Sequence, residues 1–149
     1  VHAPNALCNF TRIEKAEVWS NYGGITFGVA KLLAALDAER IEGGRSLGEG
    51  LVSYTAHFQR TNGFAPETPL DDMAKAVSEK RDGMPKGPSN TSTRYVTEDV
   101  PFGLVVLEKL GALKQVDTPI TSALISVFSA IYGRDFRLEN PFLEDLQLT

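Results

Sequence analysis

Residues 94–105 read RYVTEDVPFGLV and place a proline in the middle of a helical pattern. Pro101 has no backbone N–H, and its ring disfavours a helical Val100, so the chain either starts a new helix here or kinks an existing one. The apolar residues downstream leave almost no polar face over three turns: Phe102, Leu104, Val105, Val106, Leu107, Leu110 and Leu113. This pattern predicts a helix that is enclosed on most sides, with Asp99 at its buried end.

The polar residues just before Pro101 admit two interpretations. In the first, Asp99 or Thr97 caps a helix that begins at Pro101, and Arg94 forms an ordinary ion pair with Glu98 one turn later. In the second, Asp99 needs a functional partner, because a desolvated carboxylate without one is costly. The residues alone favour the cap, since caps are far commoner than catalytic acids.

Helix signals recur along the rest of the chain. The clearest amphipathic pattern runs from Ile25 to Ile41, with charged residues such as Glu39 mostly on the polar side. A glycine pair, GG at 43–44, is expected to end that helix, and a capping box at Ser46–Glu49 to start the next one.

Threonine–proline pairs at residues 68–69 and 118–119 predict two further helix starts, and Gly133 is expected to close the second of these helices. The segment 83–93, GMPKGPSNTST, is typical of an irregular loop. Phe142, Leu143 and Leu146 suggest a short last helix.

The whole pattern predicts an all-α, bundle-like fold of about seven helices, because the connections are mostly short and no segment alternates convincingly as a strand. With 149 residues and 42% hydrophobic side chains, the chain can bury one core and is expected to form a single domain over residues 1–149.

Charge and cysteine content exclude several classes of function. The formal net charge of -4, with both signs interspersed, makes nucleic acid and anionic membranes poor partners. No apolar run is long enough to span a bilayer. The one cysteine, Cys8, cannot form an internal disulfide, which favours a reducing cytoplasm, and it is expected to be a small buried hydrophobe. Two histidines and one cysteine without close spacing argue against a metal site.

The chain shows no cofactor-binding unit of its own. Gly48 and Gly50 could be forced into a dinucleotide fingerprint, but no strand precedes them and the third glycine is absent.

The run at residues 94–105 resembles the signature of the helical C-terminal domain of the octopine and nopaline dehydrogenases, the opine dehydrogenase family, and the likeness extends over most of the chain. The resemblance implies an NAD(P)-dependent oxidoreductase whose separate N-terminal Rossmann domain binds NAD or NADP. The chain is then expected to be a fragment without that domain, inactive alone and without saturable nucleotide binding.

The resemblance also implies three site residues. The family's catalytic histidine, near the start of the helical domain, falls on His2, and its partner aspartate falls on Asp99. One residue separates His2 from Pro4, whereas the family's proline follows its histidine directly; Asn9 keeps the family's spacing of seven. The family's arginine that binds the keto-acid carboxylate falls on Arg94.

The implied reaction is a reductive condensation. The amino group of an amino acid and the carbonyl of a 2-oxo acid such as pyruvate form an imine, which hydride from NADH or NADPH reduces. An imidazole can give and take a proton near neutral pH, and a carboxylate such as Asp99 would orient it. A planar guanidinium at Arg94 would hold the keto acid through two parallel hydrogen bonds.

Two other classes of function remain open. One is the helical domain of another two-domain NAD(P)-dependent dehydrogenase, acting on a hydroxy acid or a sugar phosphate, and the other is a non-catalytic helical interaction module. The module predicts a broad exposed apolar patch without a polar cleft, whereas the opine interpretation predicts that His2, Arg94 and Asp99 converge at one face.

Some residues and properties stay unassigned. His57 carries no motif and is interpreted as a structural or surface residue, while Trp19 and Tyr54 suit a core or a cleft equally well. The sequence leaves open which amino acid and keto acid react and which oligomer forms, a homodimer being one option.

Overall fold

The computed structural model describes residues 1–145, and in this part of the chain the fold is all-α, as predicted. One isolated β-bridge, between Ser20 and Lys86, is the extent of its strand pairing. The helices in chain order are α1 (His2–Cys8), α2 (Phe10–Glu14), α3 (Phe27–Ser46), α4 (Tyr54–Asn62), α5 (Leu70–Lys80), α6 (Arg94–Thr97), a π turn (Val100–Leu104), α7 (Val105–Lys114), α8 (Pro119–Tyr132), a 3₁₀ turn (Phe136–Leu138) and α9 (Phe142–Asp145).

The described chain divides into two compact units. Unit 1 comprises Val1–Ala34 and Val52–Thr93, and unit 2 comprises Ala35–Leu51 and the described residues from Arg94 onward. Each unit has buried apolar residues of its own. The single domain expected over residues 1–149 stays a prediction.

Unit 1 is built around α5 and the first part of α3. The apolar residues of α5 recur at helical spacing, and Met73 and Ala74 have no exposed surface. Burying a side chain such as Met73 contributes about 1.5–3 kcal/mol. The buried cluster consists of Ile25, Val29, Ala30, Leu33, Phe58, Leu70, Met73, Ala74 and Val77.

Trp19 anchors the irregular segment 83–93 within unit 1. Its indole N–H donates a hydrogen bond to the carbonyl of Pro88 at 3.0 Å, and its own carbonyl accepts from the amide of Gly87 at 2.9 Å. A methyl group at residue 87 would overlap the indole ring, so only glycine fits there. Trp19 is 4% exposed and therefore has the core role.

Unit 2 contains the proline of the central motif. Pro101 lies in the π turn between α6 and α7, where the amide of Val105 donates to the carbonyl of Val100, five residues back. Asp99 has helical φ and ψ of -64° and -29° and makes no capping hydrogen bond to the turn. The helix thus continues through Pro101 with a wider turn, and the interpretation of Asp99 or Thr97 as the cap of a helix beginning there is wrong.

Asn140 satisfies a carbonyl of this turn. Its side-chain N–H donates to the carbonyl of Pro101 at 2.9 Å, and its side-chain oxygen accepts from the amide of Phe142 at 3.1 Å. Asn140 is 7% exposed, and its bond to the carbonyl of Pro101 is shielded from water. The predicted last helix corresponds to α9, and its predicted member Leu146 lies outside the described residues.

The helix after the π turn is less enclosed than predicted. Leu104 and Val105 are buried, but Phe102 is 45% exposed and Leu113 is 60% exposed. The helix packs against α8 and the π turn within unit 2, and this covers only part of its apolar surface. Asp99 is half-buried, not deeply buried as expected.

Two predicted boundaries are wrong. Helix α3 continues through Gly43 and Gly44 to Ser46, because a helical glycine costs only about 1 kcal/mol and the side chain of Leu51 packs against Gly44. The next helix starts at Tyr54, with Ser53 as its cap. By contrast, α5 and α8 begin at or next to the two threonine–proline pairs, and Gly133 ends α8 with φ of 64°.

Candidate functional site

His2 is the first residue of α1, and buried asparagines hold this helix in unit 1. The side-chain N–H of Asn5 donates to the backbone and side-chain oxygens of Asn21 at 2.9 and 3.1 Å. Asn9 donates to the carbonyls of Asn5, at 3.0 Å, and Gly24, at 3.3 Å. Asn9, the asparagine at the family's spacing from His2, is therefore a structural residue that fixes the helix on which His2 lies.

His2 lines a pocket of about 460 Å³ that lies within unit 1. No aspartate or glutamate is among the described residues that line this pocket, which we call the unit 1 pocket. Its polar lining includes His2, Asn5, Asn21, Tyr54, His57 and Arg81.

An aromatic wall borders the unit 1 pocket. The ring of Phe58 packs against Tyr22 and Tyr54, with centroid distances of 5.5 and 5.8 Å. Burial, and to a smaller extent the electrostatic effect of Tyr22, raises the pKa of Tyr54 to about 12. The Tyr54 hydroxyl is protonated at neutral pH, as an unperturbed tyrosine would be, and the raised pKa extends this to more alkaline solution.

Arg81 is the one arginine or lysine among the described residues that line this pocket. It directly follows α5, and its guanidinium carbon lies 5.7 Å from the centroid of the Tyr22 ring. One of its terminal nitrogens is 3.4 Å from the side-chain oxygen of Asn62. These contacts orient a cationic group at the edge of the cavity.

Arg94 and Asp99 lie on the helix of the central motif in unit 2. The Nε atom of Arg94 is 2.8 Å from a carboxylate oxygen of Glu98, and 81% of the Arg94 side chain is exposed. The hydrogen bond from Arg94 to Glu98, the charge of Glu98 and the charge of Asp99 raise the pKa of Arg94. The Arg94–Glu98 pair anticipated from the sequence is thus formed, and Asp99 is close enough to contribute to the same electrostatic environment.

The three residues implied by the resemblance fall into two groups: His2 belongs to unit 1, and Arg94 and Asp99 belong to unit 2. Their convergence at one face stays a prediction.

Several pocket residues were not assigned from the sequence. His57 was interpreted as structural or surface, and Tyr54 was left between core and cleft, yet both line the unit 1 pocket. The signal was present in α4, where Tyr54, His57 and Thr61 share one face through their spacing of three and four residues. Arg81 carries no comparable signal, because it follows α5 and shares no helix with these residues.

Cys8 corrects another expectation. Its side chain is exposed, not buried, because it falls on the outer side of α1. Partial burial of the thiol raises its pKa, which disfavours the reactive thiolate. Cys8 is therefore neither a core residue nor an activated nucleophile.

The described part of the chain offers neither a metal-binding cluster nor a membrane-spanning helix. The side chains that the structure describes bring together no set of three or more histidine, cysteine, aspartate or glutamate residues suited to holding a metal ion. Every helix in residues 1–145 is too short or too polar to traverse a lipid bilayer.

Comparison with known proteins assigns the fold to a class of helical dehydrogenase domains. The alpha-helical domain described as "NAD/NADP octopine/nopaline dehydrogenase" matches residues 1–132. The chain belongs to this octopine/nopaline dehydrogenase family, which confirms the resemblance seen in its sequence. An opine dehydrogenase of Arthrobacter sp. (strain 1C) is 33% identical over 155 residues, covering 100% of this chain and 41% of the relative.

Proposed function

We propose that this chain is the substrate-binding and catalytic helical domain of an NAD(P)H-dependent, opine dehydrogenase-like oxidoreductase. The intact enzyme would reductively condense the amino group of an amino acid with a 2-oxo acid such as pyruvate. The observation that carries this proposal is that His2, on which the family resemblance places the catalytic histidine, lines a polar pocket with no carboxylate among its described lining residues. Family membership also supports the proposal.

We assign the proton transfers of the condensation to His2. When an amine condenses with a ketone, the nitrogen loses a proton and the departing hydroxyl group gains one to leave as water. An imidazole suits both transfers near neutral pH. Asp99 is assigned the role of orienting and stabilising the protonated imidazole. This pairing rests on the family resemblance.

We assign the binding of the keto-acid carboxylate to Arg94. Glu98 engages the Nε–H of the guanidinium, so a substrate carboxylate would bind the two terminal nitrogens through parallel hydrogen bonds. Its high exposure makes this edge accessible. Fixing the keto acid in this way would present one face of the imine to the hydride donor.

The nicotinamide cofactor does not fit the described residues. A dinucleotide site of the usual kind needs a strand, a glycine-rich turn and a helix, and residues 1–145 contain one isolated bridge in place of a sheet. We therefore assign NAD or NADP to another part of the intact enzyme and expect this chain alone to be inactive. The lone Cys8, which cannot form an internal disulfide, supports a place in the reducing cytoplasm. A homodimer stays an untested prediction.

The test is an assay of the intact enzyme with NADH and NADPH, with pyruvate, and with or without each of a panel of amino acids. The proposal expects cofactor oxidation that requires both substrates and yields a secondary amine bearing two carboxylates, identified by mass spectrometry. Cofactor oxidation with pyruvate alone, giving a hydroxy acid, would instead support the alternative of a two-domain NAD(P)-dependent dehydrogenase that acts on a hydroxy acid. No oxidation with any pair of substrates would contradict the proposal.

A further inference from the structure

We propose that Arg81 binds the carboxylate of the amino-acid substrate in the unit 1 pocket. This inference rests on the proposed function, because the condensation joins two molecules that each carry a carboxylate. Both carboxylates persist into the product, and each must exchange its water shell for protein partners when it binds. Arg94 is assigned the keto acid, so the carboxylate of the amino acid needs partners of its own, and a second cationic group would supply strong ones.

The electrostatic character of the unit 1 pocket favours an anionic group. The described lining residues include Arg81 and two histidines, His2 and His57, but no carboxylate. The amide groups of Asn5 and Asn21 add both hydrogen-bond donors and hydrogen-bond acceptors to the lining. A substrate carboxylate would meet attraction from Arg81 and no repulsion from acidic lining residues.

The guanidinium of Arg81 is also oriented for this task. Its carbon lies 5.7 Å from the centroid of the Tyr22 ring, and one terminal nitrogen contacts Asn62 at 3.4 Å. The contact with Tyr22 can persist when the guanidinium binds a planar carboxylate, so less conformational freedom is lost on binding. The contact with Asn62 is long, so a charged ligand would replace it readily.

The rest of the cavity matches the remaining groups of an amino acid. His2 lines the same cavity as Arg81, so the imidazole that is assigned the proton transfers borders the space available to the amino group. Phe58 and Ile25 supply apolar surface for a side chain. A volume of about 460 Å³ lies within the range of small-molecule pockets.

Steady-state kinetics of the intact enzyme test the inference. Arg81→Gln is expected to raise the Michaelis constant for the amino acid about tenfold or more, with little change in that for pyruvate, because it removes a charge-assisted hydrogen bond. Arg81→Lys should recover part of the loss. Arg60→Gln is the matched control, because Arg60 is exposed on α4 and does not line the pocket.

A truncated substrate sharpens this test. The amine that lacks the carboxylate should react less efficiently than the matching amino acid in the wild-type enzyme, and Arg81→Gln should remove most of that preference. An unchanged preference, or equal effects of Arg81→Gln on both Michaelis constants, would overturn the assignment.

A binding experiment separates this inference from the proposed reaction. Acetate and glycine are titrated into the intact enzyme carrying ¹³C-labelled histidine, and the imidazole signals of His2 and His57 are followed by NMR. Saturable shifts that Arg81→Gln weakens about tenfold and Arg60→Gln leaves unchanged would support the carboxylate site even if no pair of substrates turned over. Shifts that do not saturate, or that are identical in Arg81→Gln, would overturn it.

Discussion

The carboxylate of Glu39 caps the helix that contains Thr121. One carboxylate oxygen accepts hydrogen bonds from the hydroxyl and the amide of Thr121 at 2.6 and 2.9 Å, and the other accepts from the amide of Ile120 at 2.7 Å. Glu39 is 9% exposed and lies within α3. The first turn of α8 supplies both unsatisfied donors and the positive end of the helix dipole, which together stabilise the buried charge.

Glu39→Gln should therefore destabilise the chain by about 2–3 kcal/mol, because the amide NH₂ group cannot accept one of these hydrogen bonds. Glu42→Gln is the matched control: it lies on the same helix, and its pair with Arg45 is exposed, so its effect should stay within about 0.5 kcal/mol. Urea denaturation followed by circular dichroism measures both changes. Equal stability of the two variants would show that the cap contributes little.

Gly87→Ala should destabilise the chain by about 3 kcal/mol or more, because the new methyl group overlaps the buried indole ring of Trp19. Gly28→Ala is the control, since its added methyl group meets open space in α3 and should stabilise the chain by about 0.5–1 kcal/mol. Thermal unfolding monitored by Trp19 fluorescence reports both effects. A Gly87→Ala variant as stable as wild type would refute the packing described for Trp19.

The ion pair between Arg137 and Glu108 predicts a pH-dependent contribution to stability. Two nitrogens of Arg137 contact the two Glu108 oxygens at 2.7 and 2.8 Å, and the hydrogen bond from Arg137 is the main reason why the pKa of Glu108 is lowered from 4.5. A lowered pKa in the folded state means that the stabilisation is present above pH 4.5 and is lost as the pH falls through the folded value.

Arg137→Gln should therefore cost about 1 kcal/mol at pH 7, and the difference from wild type should shrink below pH 4.5. Urea denaturation at a series of pH values provides the measurement. Arg45→Gln, which breaks an exposed pair, is the control and should show a small effect throughout. A difference between wild type and Arg137→Gln that grows towards acidic pH would contradict a stabilising role for the charged Glu108 carboxylate.

Substitutions at the proposed catalytic residues of the intact enzyme should separate proton transfer from substrate binding. His2→Ala and Asp99→Asn are expected to lower kcat by about 10²–10⁴-fold. Arg94→Ala should chiefly raise the Michaelis constant for the keto acid. Asp117→Asn, at an exposed position, is the control. Unchanged kinetics in all three site variants would remove the assignment.

The sequence predicted the fold class because its signals are local. Proline at residue 119 and glycine at residue 133 act through their own backbone preferences, and the helix between them starts and ends as expected. The sequence misplaced Glu39 on a polar face, because the donors that bury it lie 81 and 82 residues further along the chain. Helix α3 extends beyond its predicted end because a tertiary contact, the packing of Leu51 on Gly44, overrides the local signal of the glycine pair.

The candidate site was predictable to a smaller extent. His2, Arg94 and Asp99 were named through family resemblance, which supplies roles that composition and spacing do not. Tyr54 and His57 could have been grouped by their helical spacing. Arg81 could not, because its approach to the pocket depends on how α5 packs within unit 1, and this is set by many contacts at once.

The π turn between α6 and α7 sets the direction of Asp99 around the helix axis relative to α7. An α-helix turns by about 100° per residue, and the wider turn at Val100–Leu104 holds one residue more than an α-helical turn. Deleting Pro101, which has no backbone N–H, would allow ordinary helical hydrogen bonding in this segment. The same deletion would leave the Asp99 carboxylate at nearly the same angle around the axis relative to α7, because the π turn already absorbs the rotation of its extra residue. A chain shortened by one codon at this point would thus keep both its helix content and the direction of its acidic group.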